Sequence, residues 1–137
     1  YMLAQTYPDM FDANKKISVF CPDAATLEAH HIIPLGTAKK VGEVTADIRK
    51  NPKHICNSPL NFVLITKEAN KIISDDALDV YAKKITSGAR SALNISSYVS
   101  EDSASTEEKI HGILDNRFEI LKGDVETTIN DKLMNWK

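Results

Sequence analysis

Two adjacent histidines, His30 and His31, followed by Ile32, Ile33 and Pro34, are the residues of this chain best suited to proton transfer and metal binding. Imidazole titrates near neutrality, so it can take a proton from water, and its neutral form binds metal ions. Two carboxamides follow nine residues apart, Asn61 and Asn70. A carboxamide oxygen suits a hard divalent cation. Its two ends can also hold backbone donors and acceptors together. Hydrolysis of a phosphodiester needs a base to deprotonate water, a cation to neutralise the developing charge, and correct placement of both. The histidine pair can divide the first two jobs. Asn70 can reach an ion that His30 holds, and Asn61 can pin the loop that aims His31. Glu28, two residues before His30, offers a carboxylate on the ion or beside it.

These side chains must be brought together by a few short elements. Leu27–Ile33 is expected to be a strand approaching a bend, ended by Pro34 and Gly36. Strand neighbours face opposite ways, so two histidines in one site require distortion near the strand end. Leu60–Ile65 is the best strand pattern in the chain, rich in β-branched and aromatic types, and it contains Asn61. Thr66 offers an N-cap for a helix that starts at Lys67, carries Asn70 and ends near Ile73. Ile32, Ile33, Leu64 and Ile65 would form an apolar wedge between the strands and that helix. Residues 37–57 read as a polar, Lys-rich connection with one helical turn at Asp47–Lys50. Around this, Pro8–Lys15 suggests a short helix and Cys21-Pro22-Asp23 a turn. Ser74-Asp75-Asp76 suggests a cap for a helix bearing Leu78, Tyr81, Ala82 and Ile85, and 86–104 suggests a loop. Ser105 with Glu108 forms a capping box. It opens a long helix whose single face carries Ile110, Ile113, Leu114, Phe118, Leu121, Val125 and Leu133.

The pattern His30-His31-Ile32-Ile33-Pro34, then Asn61 and Asn70, resembles the HNH endonucleases. The stretch NSPLNFVLITKEANK (57–71) is similar to the second half of the HNH domain of the CRISPR effector nuclease. The doubled histidine is similar to that of colicin DNases. The later text ANKIISDDALDVYAKKI (69–85) resembles the C-terminal HNH module of GmrSD-type modification-dependent restriction proteins. The resemblance covers residues 27–85 well and the rest loosely. It implies that His31 is the general base, that His30 and Asn70 are metal ligands, and that Asn61 supports the catalytic loop. It also implies a DNA-cutting enzyme using Mg²⁺ or Mn²⁺, of a kind that often defends bacteria against phage, hence a bacterial cytoplasmic location. Two departures stand out. Many members have Asp where this chain has His30, so both direct ligands are neutral. Mg²⁺ then binds the free protein weakly, and Zn²⁺ or Ni²⁺ suits the imidazole better. The connection between His31 and Asn61 is also long, and carries Lys39, Lys40, Arg49, Lys50 and Lys53 for DNA contact, with Lys67 and Lys71 as further phosphate contacts.

The expected architecture is α+β and mainly helical. A small ββα-metal core at about 27–73 is flanked by helices at about 75–137, in a single domain over 1–137. A chain of 137 residues with 42% hydrophobic and 26% charged residues has the composition of a soluble globular protein. No run of 18 apolar residues exists, which argues against a membrane span. No signal-peptide pattern is evident. The absence of an initiator Met suggests a piece of a longer protein, whose other domains would be partners. The net charge of −2 is not that of a typical nucleic-acid binder, but its distribution is uneven. Residues 38–100 carry ten Lys/Arg against six Asp/Glu, while both flanks are net acidic. Positive charge therefore surrounds the motif, where a polyphosphate would need it. Two competing readings remain. One is a structural zinc site from Cys21, His30 or His31, His54 and Cys56, although no C-x-x-C exists. The other is an HNH-like fold without turnover that binds nucleic acid or protein. His111 and Trp136 are read as packing or surface residues.

Overall fold

The computed structural model describes residues 6–18, 27–38, 42–74, 76–95 and 106–134. Its architecture is α+β and mostly helical, with two small two-stranded sheets and a long C-terminal helix.

The N-terminal segment does not form the expected helix. Tyr7–Pro8 (β1) pairs antiparallel with Lys16–Ile17 (β2). The cause is local. The buried Asp9 carboxylate accepts the N–H groups of Phe11 at 2.9 Å and Asp12 at 3.2 Å, which folds the chain into a turn instead of a helical first turn.

The second sheet pairs Leu27–His31 (β3) with Phe62–Thr66 (β4), antiparallel, with Leu27 opposite Thr66 and His31 opposite Phe62. β3 ends two residues earlier than the apolar pattern suggests. Ile32 and Ile33 form a bend, and both are buried. Leu35–Ala38 (α1) follows, so Gly36 lies inside a short helix and not in a turn. Pro34 stands before it, where a missing N–H costs nothing. The connection then holds Thr45–Lys50 (α2) and a 3-10 turn at Ile55–Asn57. A second 3-10 turn covers Pro59–Asn61, so Asn61 sits just before β4 and not within a strand. Ser58 opens that turn by accepting the Leu60 N–H at 3.3 Å.

Lys67–Ile73 (α3) begins where the sequence suggests, because the Thr66 hydroxyl accepts the Ala69 N–H at 3.2 Å. Leu78–Tyr81 (α4) has Ala77 at its N-cap with no side-chain bond. Asp76, expected to cap it, is paired with Lys84 at 2.5 Å, Ser74 closes α3 with φ of 50°, and Asp75 lies outside the described residues. Part of the expected loop after residue 86 is Ser87–Ala92 (α5), capped by Thr86, which accepts the Ala89 N–H at 3.2 Å. Local capping outweighs the Ser/Gly-rich composition there.

The final helix is Thr106–Met134 (α6), and Ser105 lies outside the described residues. Its first turns pack on α1 and on the two 3-10 turns, burying Ile110 and Leu114. The expected apolar face does not stay buried to its end: Phe118 is 48% exposed and Leu133 is 64% exposed. Arg117, next to Phe118 in the sequence, is fully buried and donates to the Leu93 carbonyl. A helix of 29 residues is about 44 Å long, more than this small core can cover. No helix among the described residues is long and apolar enough to cross a membrane.

Candidate functional site

The antiparallel pair β3–β4 and the helix that follows it bring together residues 40 positions apart. Glu28 and His30 share one face of β3, since strand side chains alternate. The Thr66 cap fixes where α3 starts, which places Asn70 one turn in. Asn70 Oδ1 then lies 2.9 Å from His30 Nδ1, and Asn70 Nδ2 donates to Glu28 Oε2 at 2.7 Å. Thus three of the expected site residues, Glu28, His30 and Asn70, form one cluster. Two ligands on adjacent corners of one octahedral ion lie about 3 Å apart when each bond is about 2.1 Å. The His30–Asn70 spacing fits that, and the Glu28 carboxylate stands beside it.

His31 keeps different company. β3 remains paired through this residue, so the expected distortion falls after the histidine pair, at Ile32–Ile33, and not within it. The His31 ring lies against Phe62, its cross-strand partner, with centroids 4.2 Å apart and a 47° tilt. The ring also donates a hydrogen bond to the Asn57 side chain.

Asn61 does what the carboxamide pattern suggests, from a 3-10 turn. It is fully buried. Its Oδ1 accepts the Ile33 N–H at 2.8 Å, and its Nδ2 donates to the carbonyls of Cys56 at 2.8 Å and Ile33 at 3.3 Å. Its own carbonyl accepts the Ile32 N–H at 2.8 Å. One side chain therefore ties the bend after His31 to the connection and to the start of β4.

Burial lowers the pKa of His30 below the usual 6.5, and the nearby His31 lowers it further, while the Asn70 bond opposes the shift. Burial also lowers the pKa of His31, the Arg49 charge adds to that, and the Asn57 bond opposes it. Both rings are therefore neutral at pH 7, the form that a base and a metal ligand require. The Nε2 atoms of both rings are buried and without a hydrogen-bond partner.

Two contributors carried no signal of their own in the sequence. Tyr81 was visible only as an apolar position in a helical spacing. It is buried, its hydroxyl donates to the Ile32 carbonyl, and its ring meets His30 edge-on with centroids 5.8 Å apart. Asn57 donates to the carbonyls of Ile48 at 2.6 Å and Asn51 at 2.8 Å, which fixes the amide whose bond reaches His31.

Lys67 and Lys71 are exposed on α3, and Arg49, Lys50 and Lys53 are exposed on the connection. Lys39 and Lys40 lie outside the described residues. Among the described residues no group of three or more His, Cys, Asp or Glu is placed to hold a metal, so His54, Cys56 and the histidine pair do not form a zinc set by themselves. His54 Nδ1 accepts the Cys56 N–H at 3.2 Å, and its Nε2 lies 3.4 Å from Glu43. Cys56 is a buried free thiol, and Cys21 lies outside the described residues, as does Trp136. His111 is exposed on α6.

No protein-family model matches the chain, and no curated protein or solved structure does so either.

Proposed function

We propose that this chain is a metal-dependent endonuclease of the HNH type, with a ββα-metal core, hydrolysing phosphodiester bonds of DNA in bacterial restriction or anti-phage defence. The supporting observation is the 2.9 Å approach of His30 Nδ1 to Asn70 Oδ1, made by an antiparallel strand pair and the helix after it. Two ligands of one ion must meet in this way, and His30 and Asn70 do so across 40 residues of chain.

In this reading His30 and Asn70 hold one divalent ion, Mg²⁺ or Mn²⁺, with Zn²⁺ or Ni²⁺ as softer alternatives. When bound, the ion supplies charge neutralisation at the leaving oxygen. His31, neutral at pH 7, accepts the proton of the attacking water. Asn61 keeps the bend after His31 fixed. Lys67 and Lys71 on α3, together with the cations of the connection, attract the phosphate backbone. A neutral ligand pair binds a hard cation weakly until substrate phosphate adds anionic oxygen.

A second reading has a specific observation in its favour. His31 Nε2 has no contact with solvent, and Asn57 holds the ring. A module that binds nucleic acid or protein without turnover would look the same. Turnover requires the unpartnered Nε2 to meet water, so this nitrogen must be uncovered when substrate enters.

Relaxation of supercoiled plasmid with added Mg²⁺ or Mn²⁺, compared between native chain and His31→Ala, separates the two. The nuclease reading expects cleavage that chelator abolishes and that falls by about 10²-fold or more in the variant. Tight DNA binding with no metal-dependent cleavage by the native chain would favour the second reading.

A further inference from the structure

A carboxamide next to an ion is ambiguous: its oxygen binds cations, its nitrogen repels them, and the two ends have nearly the same shape. Something must decide which end faces His30. Glu28 does so by its chemistry. An ionised carboxylate only accepts hydrogen bonds, so the Asn70 end 2.7 Å from Glu28 Oε2 must be the NH₂ group. The oxygen is thereby turned to His30, 2.9 Å away. The ring nitrogen imposes no such choice, because imidazole donates or accepts according to its tautomer. Glu28 and His30 lie on the same face of β3, so one strand supplies both the residue that orients Asn70 and the residue that Asn70 meets.

We infer that Glu28 is a positioning residue, not a metal ligand: its carboxylate holds the Asn70 amide with the carbonyl oxygen toward the His30 side, where a divalent cation is bound. This rests on the metal reading above and refines it. The charge of Glu28 stays on the Asn70 nitrogen side, which leaves the ion with neutral direct ligands and room for substrate phosphate.

An Asp at position 70 has two equivalent oxygens and needs no orienting. Mn²⁺ affinity, read from the free-ion paramagnetic resonance signal, is measured for native protein, Glu28→Ala, Glu28→Gln, Asn70→Asp and Asn70→Asp combined with Glu28→Ala. Loss of Glu28 should weaken Mn²⁺ binding roughly 10-fold or more when Asn70 is present, in the range typical of residues that hold metal ligands in place. The same change in the Asn70→Asp background should leave affinity unchanged or raise it, since it also removes a like-charge neighbour. Glu28→Gln, the same size and able to present either end, should fall between native and Glu28→Ala, and its fold is checked by circular dichroism. An equal loss in both backgrounds would make Glu28 a ligand and overturn the inference. So would native-like binding by Glu28→Ala. Either result would leave the metal reading intact, whereas failure of the native protein to bind Mn²⁺ both alone and with an uncleaved DNA oligonucleotide supplying phosphate overturns both.

Discussion

His30 and His31 are neighbours in sequence with different surroundings, and the difference explains how one dipeptide can serve two tasks. His30 is enclosed by Asn70 and the edge of Tyr81, and His31 by Phe62 and Asn57. Burial keeps both rings uncharged, so both bind fewer protons when folded than when unfolded. Proton uptake on unfolding therefore favours the unfolded chain at low pH. Their contribution to stability is complete above the ordinary value of 6.5 and is lost as pH falls through the lowered folded values. The urea midpoint should therefore drop between pH 7.5 and pH 5, and drop less in His30→Gln. An equal drop in the variant would mean that the His30 ring is not held neutral by its site. At this scale the donor types and their spacing were readable, because chemistry depends on residue identity. Asn57 and the Tyr81 hydroxyl were not: the Tyr81 role comes from a carbonyl 49 residues away, and that of Asn57 from its meeting with the His31 ring.

The element that matters most is α3, and its position depends on Thr66. The hydroxyl accepts the Ala69 N–H and donates to Asp9 Oδ2 at 2.7 Å, so one oxygen joins the helix start to the β1–β2 turn. Thr66→Ala should cost about 1 kcal/mol for the cap, measured by chemical denaturation. It should also weaken Mn²⁺ binding, since Asn70 lies one turn from the cap. Unchanged metal affinity would show that α3 is placed by its apolar face alone. The helix was legible because caps and a 3.6-residue period are local signals. The strand before it was misplaced by two residues for the opposite reason. Leu60 and Asn61 continue a β-like run, yet Asn61 is drawn into a 3-10 turn by bonds to Cys56 and to Ile33, the latter beyond any window around residue 61. The β1–β2 hairpin and α5 differ from this case: each is set by a local side-chain bond, from Asp9 and from Thr86, that outweighs the composition of its segment.

At the scale of the molecule, a small sheet and a short helix form the site, and larger helical parts brace it from behind. α6 packs its first turns against the turns that carry Asn57 and Asn61, while Arg117 ties it to the end of α5. The helical character and the long final helix were foreseeable from period alone. The division of that helix into a packed half and an exposed half was not, since one apolar stripe runs through both. The proposed meeting of β3 and α3 around a cation depends on the pairing of segments far apart in the chain. Crystals grown with Mn²⁺ and measured at an energy where manganese scatters anomalously test it most directly. An anomalous peak within bonding distance of both His30 and Asn70 is the result expected. A peak bound elsewhere, or none while His30 and Asn70 remain bonded to each other, would contradict it.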